Sequence, residues 1–226
     1  MVKVSKRMKQ INGQLDKTKV YDLNEAVSSL SELPKVKFDE TVELHFHLNI
    51  DPKGTDQVIR GTVVLPHGTG KKLKIAVFCK GELQQKAQSL GVDHVGAEDL
   101  IEKVAKGFLD FDCVIASPDI MRELSKLGKI LGPRGLMPSP KSGTVTMDIE
   151  RAVKELRAGK IEFKADKQCG IHAGIGKRSF SKEQIVQNAQ HLIEAVNQTK
   201  PSSVKGNLIK SLSLSTTMGP GIKVAV

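Results

Sequence analysis

The feature that most limits what this chain can fold into is a change in the period of its apolar residues. From Thr41 to Ile50 they occupy every second position, Val42, Leu44, Phe46, Leu48 and Ile50, with Glu43, His45, His47 and Asn49 between them. Side chains alternate faces along a strand, so this segment is a strand with one dry and one wet face. The texture returns at Ile161, Phe163 and Ala165, set among Lys160, Glu162 and Lys164. It returns again from Leu208 to Thr217, where Leu208, Leu212 and Leu214 share one side, interrupted by Lys210, and Ile209, Ser211, Ser213, Ser215 and Thr217 share the other. A further strand is expected over Ile59–Leu65.

Between these segments the pattern is strand, helix, strand, helix, strand: Leu73–Cys79, Glu82–Leu90, Val92–Val95, Ala97–Lys106 and Asp112–Ala116. Such alternation builds a parallel sheet covered by helices. The two ends therefore share one style and the middle has another. Residues 1–67 and 159–226 are expected to form one discontinuous α+β domain, with an α/β domain, 68–158, inserted between linkers near 67 and 159.

Helix signals fit this division. Asp22 caps a helix carrying Ala26, Val27, Leu30 and Leu33, stopped by Pro34, and Ser117-Pro118 is a cap and first-turn pair for a helix through Leu127. Asp148–Arg157 is a helix ending at Gly159, and Ser181-Lys-Glu-Gln184 opens a long helix with Ile185, Val186, Ala189, Leu192, Ile193 and Val196 in one stripe. The basic lead Met1–Gln10 is weakly patterned. Pro66–Gly70 and Gly170–Ser179 read as turns, and Leu131–Gly143 as an ordered, exposed loop rich in Gly and Pro.

Lys and Arg number 35 against 25 Asp and Glu, a formal charge of +10, which favours an anionic partner, nucleic acid first. Residues 1–67 and 159–226 hold 20 basic and 13 acidic residues, +7; residues 68–158 hold 15 and 12, +3. The terminal domain is the stronger electrostatic candidate. With no Trp and one Tyr the chain lacks the aromatic platforms on which single-stranded bases stack, so recognition of RNA would rest on shape, backbone and polar contacts. Cys79, Cys113 and Cys169 are odd in number and far apart, which reads as buried thiols in a reducing compartment. No run reaches the length of a membrane span, and a cytoplasmic protein without membrane attachment is expected.

Two stretches invite a phosphate-loop reading and fail it. In Gly170-Ile-His-Ala-Gly-Ile-Gly-Lys-Arg-Ser179 the glycine that should stand five residues before Gly-Lys is Ile171, and the hydroxyl that should follow is Arg178. His67-Gly-Thr-Gly-Lys-Lys72 opens a strand rather than a helix, and a linker with basic flanks is the simpler account. His45 and His47 have chelating spacing, yet no Cys or carboxylate completes a metal set, and no Ser, Cys or paired carboxylates assemble a catalytic one. Neither an enzyme, a cofactor nor a metal is expected. An enzyme using the α/β unit for a phosphorylated metabolite, or a nonspecific basic protein, are the competing classes.

Ser211, Ser213, Ser215 and Thr217 set hydroxyls along one strand edge, suited to ribose and phosphate oxygens but also common on any exposed β-face. Thr216-Thr-Met-Gly-Pro-Gly221 adds a turn where glycine admits close approach and Met218 projects an apolar arm. Lys35-Val-Lys-Phe-Asp-Glu-Thr41 offers lysines, an aromatic and a hydroxyl before a strand, with Phe38 divided between core and interface.

At these residues the chain resembles the bacterial-type ribosomal protein L1 family of the large-subunit mobile stalk. The matching segments are Lys37-Phe-Asp-Glu-Thr41, Arg60-Gly-Thr-Val-Val-Leu-Pro-His-Gly-Thr-Gly70, Leu131-Gly-Pro-Arg-Gly-Leu-Met-Pro-Ser-Pro-Lys141 and Ser213-Leu-Ser-Thr-Thr-Met-Gly219. The resemblance implies a split α+β domain, an antiparallel sheet with helices on one face, that grips large-subunit rRNA. It further implies an inserted Rossmann-like three-layer α/β domain on a two-strand hinge, a role in movement and release of exit-site tRNA, and repression of the protein's own operon mRNA. It implies a ribosome-bound protein that is a monomer when free. RNA contacts carried over by position fall on Lys37, Phe38, Thr41, Ser211, Thr217, Met218 and Gly219, with His172 and Lys177 secondary; Ser213 joins them from the hydroxyl row. Gly132, Arg134 and Lys141 form a second candidate RNA or interdomain loop.

Overall fold

The structure, a computed structural model, describes residues 5–16, 18–51, 59–201 and 204–225. Residues 1–4 of the basic lead and Val226 lie outside the described residues. The chain divides into two compact units, one built from Met1–Gly70 with Gly159–Val226, the other from Lys71–Ala158.

The first unit holds helices α1 (Lys6–Gln14) and α2 (Leu23–Glu32), strands β1 (Thr41–Leu48) and β2 (Arg60–Val64), and, after the second unit, β6 (Lys160–Lys164), β7 (Gly170–Lys177), α8 (Lys182–Gln198), β8 (Ile209–Thr216) and β9 (Ile222–Val224). Its sheet is antiparallel throughout, in the order β7-β1-β8-β9. A separate antiparallel ribbon pairs β2 with β6. Alternation decides which face is dry: Val42, Leu44, Phe46 and Leu48 of β1, Ile171 and Ile175 of β7, and Leu212 and Leu214 of β8 are buried. They pack in one core with Ala26, Val27 and Leu30 of α2 and Ile185, Ala189, Leu192 and Val196 of α8. Each of the Val, Leu, Ile and Phe side chains contributes roughly 1.5–3 kcal/mol by leaving water. The other sheet face carries Glu43, His45, His47, His172, Ser211, Ser213 and Ser215, and no described helix takes part in a core on that side.

Local chemistry sets the helix ends. Ser181 and Gln184 form the expected capping box at the start of α8, each side chain bonding the other's backbone N–H. Asp22 caps α2 by accepting from Asn24 N. Within α8, Asn188 is fully buried yet satisfied: its amide donates to Ile175 O (2.7 Å) and Gly68 O (3.0 Å) and accepts from His67 N (3.1 Å). That side chain fixes the Pro66–Gly70 turn. Gly159 faces the turn at φ +98°, and a Cβ there would stand 2.3 Å from Gly68 Cα, so only glycine fits.

The second unit holds β3 (Ile75–Phe78), α3 (Glu82–Ser89), β4 (His94–Gly96), α4 (Glu98–Ala105), β5 (Cys113–Ala116), the one-turn helices α5 (Met121–Leu124) and α6 (Gly128–Leu131), and α7 (Ile149–Arg157). Its sheet is parallel, in the order β4-β3-β5. All four residues of β3 are buried, which explains an uninterrupted apolar run. Ala76, Phe78, Val114 and Ala116 pack with Leu100, Val104, Ile120, Leu124, Leu127 and Leu131. Ile75, Val77 and Ile115 pack with Ala87, Ile149, Val153 and Leu156. The chain is thus an α/β protein, with one parallel and two antiparallel sheets among the described residues.

Four expectations need correction. Gly170–Lys177 is a full-length strand paired with β1 at the sheet edge rather than a turn; Gly174 and Gly176 weaken the strand signal, but Ile171, Ala173 and Ile175 alternate inward between them. In β8 a register shift opposite His47/Leu48 turns Ile209 into the core and Lys210 to solvent, reversing their expected sides. The helix expected from Ser117 to Leu127 is instead a chain of short pieces, 3₁₀ at Pro118–Ile120 and Ser125–Leu127 alternating with α5 and α6, and the Ser117 hydroxyl caps nothing. The basic lead contains α1, which buries Ile11.

Candidate nucleic-acid interface

Two segments far apart in sequence, Lys37–Thr41 and Thr216–Gly219, meet at one end of the four-stranded sheet around a buried ion pair. Glu40 directly precedes β1 and Arg178 directly follows β7; their side chains are 1% and 7% exposed and Arg178 Nη1 donates to Glu40 Oε2 at 2.6 Å. The second carboxylate oxygen accepts from Thr216 Oγ1 and from Met218 N, both at 3.1 Å. Arg178 also donates to the carbonyls of Leu30 (3.2 Å), Leu33 and Pro34 (3.4 Å), at and just past the end of α2. One buried charge pair thereby fixes the end of α2, the start of β1 and the turn after β8. A lone charge could not stay at this depth; a partnered and hydrogen-bonded one can.

Beside this node the strand ends are laced by hydroxyls. Thr41 N donates to Thr217 Oγ1 (3.0 Å), Thr217 N donates to Thr41 O (3.1 Å), and Lys177 Nζ donates to Thr41 Oγ1 (3.0 Å). Gly219 N donates to Thr216 O at 3.0 Å, and a Cβ on Gly219 would lie 2.3 Å from Thr216 Oγ1. The turn can be this tight only with glycine there. Arg7, from α1, donates to Met218 O. Asp39 accepts from the backbone and hydroxyl of Ser179 at 3.1 and 2.7 Å, closing the loop that carries Phe38.

What this frame presents outward is apolar and basic. Phe38 is 54% exposed and Met218 53%, an uncommon exposure for side chains on so tightly bonded a support, and Lys37 and Thr217 are exposed with them. Phe38 is therefore surface and not core. Along the open sheet face, Ser211, Ser213 and Ser215 of β8 stand opposite His47, His45 and Glu43 of β1, and His45 stands opposite His172 of β7. His45 Nδ1 lies 2.9 Å from His172 Nδ1, and His45 Nε2 lies 2.8 Å from Ser215 Oγ. Burial and then the neighbouring His172 ring hold His45 below the usual imidazole range, while Glu43 pulls the other way. Backbone N–H groups of Gly170 and Gln168 hold Asp166 below the usual carboxylate range, and its Oδ2 stands 3.7 Å from His172 Nε2.

The structure thus gathers Lys37, Phe38, Thr41, Lys177, Thr217, Met218 and Gly219 at one edge, and sets Ser211, Ser213 and His172 on the adjoining open face. Gly132, Arg134 and Lys141 lie in the other unit, exposed on a loop that is partly anchored: Pro138 and Ser142 are buried, and Ser139, Ser142 and Thr144 share hydrogen bonds of 2.9–3.3 Å. Sequence reasoning did not foresee the Glu40–Arg178 ion pair, whose guanidinium is internal, or the contact of His45 with His172; Ser215, already read in the hydroxyl row, is the residue that bonds His45. Among the described residues no cluster of three or more metal-ligating side chains occurs, and no helix is long and apolar enough to cross a membrane. Cys79 and Cys169 are buried, Cys113 only partly, and all three are free thiols; burial pushes the Cys79 and Cys113 thiols up.

The model of the Ribosomal protein L1p/L10e family matches residues 30–220. Large ribosomal subunit protein uL1 of Thermosipho melanesiensis is 54% identical over 225 residues, covering 99% of this chain and 97% of that protein. The same protein of Thermosipho africanus is 53% identical over the same coverage, and that of Protochlamydia amoebophila 50% identical, covering 99% of this chain and 95% of its own. The matched span takes in both the Phe38–Thr41 and the Thr216–Gly219 segments, and the chain belongs to the ribosomal protein L1 family.

Proposed function

We propose that this chain is a constituent of the large ribosomal subunit that grips large-subunit rRNA at the mobile stalk through its discontinuous unit. As a member of its family it is a structural protein and not an enzyme. The observation that carries the RNA reading is the exposure of Phe38 and Met218 on two segments that share one hydrogen-bonded base, with Lys37 next to Phe38, Lys177 bonded to Thr41, and the hydroxyls of Thr41 and Thr217 between the strand ends. An apolar pair held away from the core can pack against sugar or base faces, while fixed hydroxyls and amines address ribose and phosphate. The excess charge of the same unit, +7 against +3, supplies the long-range attraction.

In this reading residues 1–67 and 159–226 are the α+β RNA-binding domain and 68–158 an inserted Rossmann-like α/β domain, whose exposed Arg134 and Lys141 offer a weaker RNA contact. The protein is cytoplasmic, monomeric when free, assists movement and release of exit-site tRNA, and represses its own operon mRNA when that messenger presents the shape of the ribosomal site. The test is a salt-titrated binding assay of the full chain on large-subunit rRNA fragments, with unrelated RNA and the messenger leader as competitors. One fragment should bind in excess of unrelated RNA, and the leader should displace it. Equal competition by unrelated RNA would leave only a nonspecific basic protein.

A further inference from the structure

His45 and His172 face each other across β1 and β7 at the same register position, with ring centroids 5.0 Å apart, planes tilted by 58° and the two Nδ1 atoms 2.9 Å apart. A nitrogen–nitrogen contact this short needs a hydrogen on one atom and a lone pair on the other. Two imidazolium rings would bring two N–H groups head to head, so this geometry admits at most one positive charge on the pair.

The neutral pair has one arrangement that uses every neighbour. Ser215 O–H donates to His45 Nε2, His45 Nδ1–H donates to His172 Nδ1, and His172 Nε2–H points toward Asp166 Oδ2. Adding one proton reverses the chain. The new proton enters at His45 Nε2, the proton on His45 Nδ1 crosses to His172 Nδ1, and the charge settles on His172 beside the Asp166 carboxylate. His45 Nε2–H now donates to Ser215 Oγ, so the Ser215 O–H is released to donate elsewhere. The partial burial that disfavours a charge on His45 itself agrees with this placement.

Resting on the reading that this unit binds RNA, we propose that its open sheet face is a second part of the interface, where His45 and His172 take up one shared proton to bind an RNA phosphate and thereby turn the Ser215 hydroxyl outward as a donor. The cationic His172 is exposed, and Ser213 and Ser211 continue the hydroxyl row beside it. The charged and titratable groups on the surrounding elements are Glu43 and His47 of β1, Lys177 of β7, Asp166 and Lys167 in the turn before it, Lys164 at the end of β6, Lys210 of β8 and Lys223 of β9. Glu43 and Asp166 would repel a phosphate from a neutral pair; the added proton offsets one of them.

The sign follows from linkage. RNA favours the cationic pair, so the pair's apparent pKa is higher in the complex than in the free chain. Its contribution to binding is full below the free-state value and is lost as pH rises through the bound-state value, with at most about a tenfold change in affinity per pH unit.

The experiment is calorimetric titration of the full chain with a large-subunit rRNA fragment at pH 6 and 8, in buffers of different ionisation enthalpy, alongside a histidine NMR titration of the free chain. Wild type should take up no more than one proton and bind more tightly at pH 6, and the two rings should follow one shared transition. The double variant His45→Gln/His172→Gln should lose both the proton uptake and the tightening between pH 8 and pH 6. Ser215→Ala, which keeps both rings, should weaken binding about three- to tenfold at pH 6, the worth of one hydrogen bond, and less than twofold at pH 8. Unchanged uptake in the double variant, two independent ring titrations, or an equal Ser215→Ala loss at both pH values would overturn the proposal while leaving RNA binding intact. Failure of wild type to prefer the fragment over unrelated RNA at either pH would overturn the RNA reading, and this proposal with it.

Discussion

Replacing Glu40 by Gln removes one charge from the buried pair while keeping the size and most acceptors of the side chain. Arg178 would then sit almost wholly out of water with only the carbonyls of Leu30, Leu33 and Pro34 as partners. Removing one member of a buried ion pair costs about 3–5 kcal/mol, because the other is left uncompensated. The amide oxygen of Gln can still accept from Thr216 Oγ1 and Met218 N, which places the loss near the low end, about 3 kcal/mol. Urea unfolding followed by tyrosine fluorescence measures it cleanly: the chain has a single Tyr and no Trp, and Tyr21 is bonded to β9 through Lys223 O and Ala225 N. The double variant Glu40→Leu/Arg178→Met separates stability from function. Apolar replacement of a whole buried pair is often close to neutral, but Thr216 Oγ1 and Met218 N also lose an acceptor here, so stability should recover part of the Glu40→Gln loss and not all of it. RNA affinity should not return, because Thr216 Oγ1 and Met218 N have lost the acceptor that shapes their turn. A Glu40→Gln loss under about 1 kcal/mol, or a double variant that regains binding together with stability, would refute the role given to the pair.

Gly219→Ala should cost about 1–3 kcal/mol in the same unfolding assay and more in RNA binding, since the new Cβ displaces Thr216 Oγ1 from Glu40. Thr217→Val should destabilise the chain by about 0.5–1 kcal/mol by removing the acceptor of Thr41 N at an exposed strand end, whereas Thr217→Ser, which keeps the hydroxyl, should stay within about 0.3 kcal/mol. Phe38→Ala should leave the unfolding midpoint unchanged and weaken specific RNA binding; Lys37→Ala should weaken all RNAs alike and lower the salt slope by about 0.7–0.9. Ser117→Ala should raise stability by up to about 1 kcal/mol, because the hydroxyl is buried without a partner; the loss of about 1 kcal/mol expected for a true helix cap would contradict the broken-helix geometry.

What the sequence made legible is local. The alternation of β1 needs only its own ten residues, and the capping box of α8 only four, so both were readable without knowing any partner. The strand β7 was not, because its glycines answer to other segments: a Cβ on Gly174 would stand 3.3 Å from Thr41 Cγ2, and one on Gly176 2.9 Å from the Phe180 ring. A residue kept small to admit a neighbour from another element looks, in sequence, like a residue kept flexible for a turn. The reversal of Ile209 and Lys210 has the same origin, since the register shift that causes it is a property of the β1–β8 pairing and not of β8 alone. The helix α1, with little apolar content, and the strand β9, only three residues long, fell below any periodic signal.

The interface divides along the same line. Its outward residues lie in two motifs whose resemblance to a family could be seen directly, and Lys37, Phe38, Thr217 and Met218 were named from them. Its support could not be named, because Glu40 and Arg178 are 138 positions apart and each looks like an ordinary surface charge in its own context. Only burial distinguishes them, and burial arises when β7 and β1 pair and α2 closes over their ends. That order has a consequence for mutation: changes to the outward residues should alter RNA affinity with the fold intact, while changes to Glu40 or Arg178 should alter both, with stability partly restored once the charge is removed from both partners. The partial recovery of stability but not of binding in the paired variant is therefore the observation that tells a scaffold residue from a contact residue here.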